Sequence, residues 1–469
     1  MQNHAISISI SLILTLFLSL FFQPAYEFSI YIWSYLSFAF VFSVTLRILF
    51  LRKREDILFF MVLFLTWLNF LQPYLRAEKV THLYRIIPDQ FLFEMSFFSA
   101  FGVIALYLGY YFSFSKKRIN PIFKTENKFS SKIIGNGLIG IMSLYIIYRF
   151  FFIFYFELIQ PFLGLLAILD YSPSIISAGL TLIILRKHGN LTTIIILFVF
   201  LIIQFFIAVA QTLFIYVILL AFVPLLIYFF ERNKVPVIAM LVISLFLTPL
   251  FMLRHFYRKD VAKWWYEGET VTSEFLITRG FDIIGETYGR ENIFDTSDKI
   301  KDAEKNTEKR FELVSYLGQC VYQHEIKGRP YLLGNTFLWL PIAPIPRAIF
   351  PFKPENNMGT KLAEEYGLKG HTQGSMNWPM LAEYYVNFGF WGIIIFSFFQ
   401  GLAYKYTYKL LAFGHGDLNL LALFSLILPI IKIESNVTLI FGQIIQFLLL
   451  WYVLSITILK KYKYKKNKP

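Results

Sequence analysis

The chain has a single cysteine, Cys320, in 469 residues, so no intramolecular disulfide can form. It has no HExxH, no GxSxG, no P-loop, no Cys/His ligand cluster and no Asp-x-Asp pair. Those spacings mark zinc proteases, serine hydrolases, nucleotide hydrolases and metal-dependent transferases, so none of these classes is indicated. No internal repeat relates one part of the chain to another, which weighs against a secondary transporter built from duplicated halves. Positive charge is scarce in half of the connections between apolar runs, which hold only Arg76, Lys79 and Arg85.

What is abundant is apolar sequence. Hydrophobic residues make up 57% and aromatic residues 19% of the chain, in long runs rather than amphipathic stripes. A membrane-crossing helix needs about 20 consecutive apolar residues. Runs of that kind lie at 5–23, 28–50, 57–75, 91–112, 133–156, 172–185, 191–208, 212–230, 235–252, 389–408, 418–433 and 437–459. The first run has no basic n-region and no convincing cleavage site, so it reads as a retained helix. The expected fold is an all-α polytopic membrane protein with about twelve transmembrane helices and one large outer loop between helices 9 and 10.

The net charge of +14 fits this topology better than nucleic acid. Alternate connections hold Arg52 to Arg54, Lys116 to Lys132, Arg186 and Lys187, Arg232 and Lys234, Lys405 and Lys409, and Lys460 to Lys468. Together they carry 21 basic residues, against three on the other side. The positive-inside rule makes the rich side cytoplasmic, with both termini there. Residues 253–388 carry 17 basic and 18 acidic residues, so they offer a polyanion no net field. The expected organisation is a nine-helix bundle over 1–252, an extracytoplasmic loop over 253–388, three helices over 389–459, and a basic tail over 460–469.

Ionisable groups inside spans are costly and are functional candidates by default. Arg149, Glu94, Glu157 and Lys432 all map to outer helix portions, as do Asn69, Gln72 and Gln204. Arg47 is the exception, placed to snorkel to the cytoplasm. Asp170, Gln211, Glu434 and Asn436 sit at the same outer boundary. Such a pattern fits a cavity open to the outer leaflet. Arg254 and Arg258 end the ninth run, and Arg279, Arg347 and Lys353 follow in the loop. Guanidinium binds phosphate in a bidentate fork, so these residues point to a lipid-linked phosphate or pyrophosphate.

Within the loop, 296–312 reads as a solvated charged helix. The stretch from Tyr331 to Pro354, broken by five prolines, is too interrupted for a helix and too apolar for a free loop. It is expected to lie against the membrane or re-enter it, covered by protein. Trp378, Tyr384, Tyr385, Phe388 and Trp391 read as an interfacial aromatic belt. His82, His255, His324 and His371 face outward as candidate bases. His371 stands out in the glycine-rich stretch Gly367 to Trp378, and Glu383 is the carboxylate alternative.

The run Tyr331-Leu-Leu-Gly-Asn-Thr-Phe-Leu-Trp-Leu is followed by Pro344-Ile-Pro-Arg-Ala-Ile-Phe-Pro-Phe-Lys-Pro354, then glycines, then Glu383-Tyr-Tyr-Val-Asn-Phe-Gly-Phe-Trp-Gly392. This pattern resembles the oligosaccharide repeat unit polymerases (O-antigen polymerase, Wzy type), membrane enzymes of GT-C-like architecture. The resemblance implies a glycosyltransferase joining undecaprenyl-pyrophosphate-linked oligosaccharide repeats into O-antigen or capsule at the outer face of the bacterial cytoplasmic membrane. It implies no cofactor and no metal, and as partners the lipid-linked oligosaccharide, membrane lipid, and the chain-length regulator and flippase of the same pathway. Under it, Arg254, Arg258, Arg279, Arg347, Lys353 and Arg149 hold the pyrophosphate, and His371 or Glu383 is the base. One departure is the turn Ala208 to Thr212, which lacks the arginine that members often carry between consecutive spans. An O-antigen ligase acting on a lipid A core, a flippase or other transporter, and a non-catalytic assembly protein are the alternatives.

Overall fold

The computed structural model describes residues 2–19, 26–50, 56–75, 90–112, 131–159, 162, 166–186, 189–210, 214–232, 234–245, 312–345, 349–350, 352, 358–368, 377–411 and 417–466. Among these the chain is helix and turn, with no strand. The helices are α1 (Gln2–Ser19), α2 (Phe28–Phe50), α3 (Ile57–Phe70), α4 (Gln90–Tyr111), α5 (Ser131–Phe154), α6 (Ser172–Leu185), α7 (Leu191–Ala210) and α8 (Phe214–Arg232). Residues 237–245 are also helical. Then come α9 (Val314–Val321), α10 (Met358–Glu365), α11 (Met380–Leu410), α12 (Asp417–Ile431) and α13 (Val437–Lys466).

Among the described residues, five stretches are long and apolar enough to cross a membrane: Phe28–Ile48, Phe91–Tyr111, Ser131–Phe152, Leu191–Ala208 and Met380–Leu410. They coincide with five of the expected spans, and the protein is a helical membrane protein. Shorter apolar helices occupy Ile57–Phe70, Leu169–Leu185, Asn419–Ile431 and Val437–Val453. Hydroxyls within the helices bond back to carbonyls of the preceding turn, as Thr66 does to Val62 and Thr407 to Ala403. That arrangement satisfies a polar group where no water is at hand.

The chain forms two compact units. The first contains α1 to α4 and everything from residue 311 onward; the second contains α5 to α8. In the first unit α4 and α11 pack backbone to backbone. A Cβ on Gly109 would run into the Phe398 carbonyl, and one on Gly401 into the Leu106 carbonyl. Small residues at these two points let the helices approach where lipid supplies no hydrophobic drive for association. Lys405 then caps the C-terminus of α4, its Nζ donating to the carbonyls of Tyr111 (3.3 Å) and Phe112 (3.1 Å).

Helix α11 is interrupted at Phe388 and Gly389, and Gly389 has φ 61° and ψ −149°. That region is open essentially to glycine alone. Beyond the break, residues 390–410 run about 31 Å at 1.5 Å per residue, a match to the hydrocarbon thickness. The expected start of the tenth span at 389 therefore falls on the break, and the turns before it form a separate helical segment.

Two expectations are corrected in this unit. Arg47 does not snorkel: it is buried, and its Nη2 lies 3.0 Å from Asp56 Oδ2. Tyr111 donates to the same carboxylate oxygen at 3.0 Å, and the guanidinium sits 4.7 Å from the Tyr111 ring centroid. The charge is matched at the junction of α2, α3 and α4 by a carboxylate and a tyrosine, and a charge so paired can stay buried where an unpaired one could not. Trp378, Tyr384 and Tyr385 are also buried rather than belted along an interface; of that group only Phe388 and Trp391 are exposed.

Candidate functional site

The polar centre of the first unit lies where α9, the chain after it and the first segment of α11 meet. Helix α9 packs on α4 and α11 and widens into a π-helical turn at Tyr322–Ile326. Its signature is the Lys327 amide donating to the Tyr322 carbonyl, five residues back. Single π-turns are frequent at functional sites. This one carries His324 and Glu325.

His324 is buried, and both its ring nitrogens are engaged. Nδ1 lies 2.7 Å from the Arg329 carbonyl and Nε2 lies 3.0 Å from the Tyr366 hydroxyl. A carbonyl can only accept, so Nδ1 carries the proton and Nε2 accepts from Tyr366. Burial holds the imidazole pKa below its ordinary value, which favours this neutral tautomer. The ring stacks on Tyr331 at 4.5 Å and 12°. Arg329 lies over the Tyr366 ring at 4.3 Å and bonds the end of α10 twice, through the Glu365 carboxylate (2.6 Å) and carbonyl (2.7 Å).

Glu325, the residue after His324, is exposed. Its Oε1 accepts from the Tyr385 hydroxyl at 3.1 Å and from the Tyr331 hydroxyl at 3.4 Å. Glu94 on α4 is close enough to interact with it as a like charge. The residues that sequence reasoning missed are therefore Glu325 and the two tyrosines that hold it. The available signal was a His-Glu pair beside Gly328-Arg329-Pro330.

The break in α11 frees carbonyls that need donors. The chain at 332–334 supplies them: the Leu332 amide donates to the Val386 carbonyl (2.9 Å) and the Leu333 amide to the Asn387 carbonyl (3.1 Å). Asn387 completes the joint. Its Oδ1 accepts from the Gly334 amide (2.9 Å), and its Nδ2 donates to the Thr336 hydroxyl and the Glu383 carbonyl (2.8 Å each). Two stretches some fifty residues apart, 331–336 and 383–389, are thereby sewn into one structure.

Glu383 lies inside that joint with no exposed surface. Its Oε2 accepts from the amide of Val437, the first residue of α13, at 2.7 Å. Asn436 caps the same helix, its Oδ1 accepting from the Leu439 amide at 2.9 Å. A carboxylate suits the positive end of a helix, and this geometry gives Glu383 the task of tying α11 to α13. Glu383 Oε1 has no hydrogen-bond partner among the described residues.

From this joint the Pro-rich segment runs alongside α13. The Thr336 carbonyl accepts from Thr438 (3.2 Å), Ala343 faces Gly442, and the Pro344 carbonyl accepts from Gln446 Nε2 (3.0 Å). From Val437 to Gln446 is about 13 Å of helix rise. Leu333, Leu338, Ile349 and Phe352 remain widely exposed.

No known protein family, characterised protein or solved structure matches the chain. The site therefore rests on its own geometry. Of the expected site residues, Arg254, Arg258, Arg279, Arg347, Lys353 and His371 lie outside the described residues. His82 and His255 do as well.

Arg149 belongs to the second unit. Its Nη2 lies 3.2 Å from Asp170 Oδ1, and its Nε donates to the Tyr145 hydroxyl at 3.1 Å. Tyr145 in turn donates to Gln204 at 2.9 Å. The Arg149 charge is thus already matched by a carboxylate, and a phosphate there would have to compete with Asp170. Gln204 and Asn436 are occupied by hydrogen bonds within the protein, and Asn69 by the Leu65 carbonyl of its own helix (2.8 Å).

Proposed function

We propose that the protein polymerises undecaprenyl-pyrophosphate-linked oligosaccharide repeats into surface polysaccharide. The transfer takes place at the outer face of the bacterial cytoplasmic membrane, in a chain of about twelve spans with both termini cytoplasmic. The observation that carries this reading is the joint between 331–336 and 383–389. Two of the three stretches on which the resemblance to repeat unit polymerases rests are distant in sequence, and they meet through backbone and Asn387 hydrogen bonds.

The chemistry fits the residue inventory. Pyrophosphate is a good leaving group and needs no general acid, but its developing charge must be held. Preorganised arginine and lysine clamps do that best in a water-poor site. Arg254, Arg258, Arg279, Arg347 and Lys353 are the candidates, with Arg149 dependent on release from Asp170. The acceptor sugar's hydroxyl oxygen attacks the anomeric carbon, the carbon–phosphate oxygen bond breaks, and its electron pair leaves with the lipid pyrophosphate. The partners are the lipid-linked oligosaccharide, membrane lipid, and the chain-length regulator and flippase of the pathway.

A strain lacking the protein is expected to make glycan capped by single repeats. Wild-type protein restores a ladder, and Arg347→Ala does not. A full ladder from Arg347→Ala removes that residue from the mechanism. Repeats that never reach the outer leaflet in the deletion strain make the protein a flippase instead, and loss of polymer attachment to the lipid A core with chain length intact makes it a ligase.

A further inference from the structure

We propose that Glu325 is the general base of an acceptor-sugar subsite whose floor is the Tyr331 ring. This rests on the polymerase reading above and names the group that reading leaves open. A base must meet substrate, so it must be exposed, yet it must be held still. Glu383 is sealed at the start of α13 and meets only the second condition. Glu325 meets both: its side chain is exposed, and two tyrosine hydroxyls from different parts of the chain fix one carboxylate oxygen. Among the described residues the other oxygen accepts no hydrogen bond, and it can receive a proton.

Tyr331 is suited to hold a sugar. One face of its ring is backed by the His324 imidazole at 4.5 Å, and the residue remains 38% exposed. His324 is itself locked by the Arg329 carbonyl and Tyr366, so the platform cannot swing. The apolar C–H face of a pyranose packs on such a ring, and a polar group at its rim reads the hydroxyls, the usual division of labour in a binding site. The Tyr331 hydroxyl bonds to Glu325, so a hydroxyl at the rim of a sugar on that ring comes within reach of the carboxylate.

In the transfer step the acceptor O–H proton passes to the free Glu325 oxygen as the acceptor oxygen bonds to the anomeric carbon. The bond to the lipid pyrophosphate breaks in the same displacement. Tyr331 and Tyr385 are positioning residues: they hold the carboxylate and touch no reacting atom.

The test is Glu325→Gln in purified full-length protein, reconstituted in liposomes with the lipid-linked repeats that accumulate in the deletion strain. The amide oxygen still accepts from both tyrosines, so the fold is kept and only the base is lost. The expected result is polymerisation slowed about 10²- to 10⁴-fold, the usual contribution of a positioned base, with an unchanged thermal midpoint and unchanged binding of the lipid-linked repeat. Polymerisation at the wild-type rate overturns the proposal and leaves the polymerase reading standing. A slow variant with a lowered midpoint also overturns it, giving Glu325 a structural role. If wild-type protein makes no polymer from these repeats, the polymerase reading falls first and the proposal with it.

Discussion

Asn387 is the hinge-pin of the candidate site, and Asn387→Ala tests that directly. The side chain is fully buried and makes three hydrogen bonds, to the Gly334 amide, the Thr336 hydroxyl and the Glu383 carbonyl. Truncation strands the Gly334 N–H, at about 1–3 kcal/mol, and removes two further bonds worth about 0.5–1.5 kcal/mol each. Partial relaxation leaves a loss of about 2–4 kcal/mol. Because the chain at 332–334 is tied to α11 by this residue, the loss appears there as local opening. Hydrogen exchange of the Leu332, Leu333 and Gly334 amides in detergent micelles should accelerate by about 30- to 700-fold. Asn69→Ala is the control, since that buried amide bonds only the Leu65 carbonyl of its own helix. If Asn387→Ala exchanges like wild type at these amides, the joint is not held by this side chain and the reasoning fails.

Gly401→Ala drives a methyl into the Leu106 carbonyl and should lower stability by about 1–3 kcal/mol. Gly137→Ala, where nothing stands within 4 Å, should be neutral or slightly stabilising, as read from unfolding in denaturing detergent. Arg47→Ala removes the guanidinium paired with the buried Asp56 carboxylate and should cost up to about 3–5 kcal/mol. The double variant Arg47→Met with Asp56→Leu should recover most of that in the same titration, and failure to recover would deny that the ion pair is the cause. Acid should weaken the first unit through His324. The unfolded chain takes up a proton near pH 6.5, whereas the folded imidazole, buried and accepting from Tyr366, does so only at lower pH. Stability therefore falls as pH drops below about 6.5 and is insensitive to this group above it. His324→Gln should flatten the thermal midpoint between pH 5 and 6.5, and an unchanged slope would exclude His324 as its source.

Five of the expected spans were legible because bilayer thickness sets one length and these helices obey it. The runs at 91–112 and 133–156 became Gln90–Tyr111 and Ser131–Phe154 nearly to the residue. Composition says nothing, however, about which way an aromatic faces. The pattern of Trp378, Tyr384 and Tyr385 suits an interfacial belt, yet Trp378 packs on Tyr316 and Tyr366, Tyr385 on His324, and Tyr384 on Phe337 and Phe396. The partner that keeps Arg47 buried, Asp56, lies nine residues on, beyond the basic run at 52–54, where no helical spacing links the two. Glu383 was legible as a lone carboxylate in apolar sequence. Its partner, the amide at the head of α13, is 54 residues away and leaves no local trace. Glu325 was hidden for a similar reason: its tyrosines come from positions 331 and 385, and only the fold brings them together.

The most direct test counts products. Wild-type protein in liposomes, supplied with lipid-linked repeats as the only glycan, should release one polyprenyl pyrophosphate for every new glycosidic bond and leave a ladder with one lipid at its end. Release without chain growth, growth without release, or repeats that are only moved between leaflets would each contradict the polymerase account.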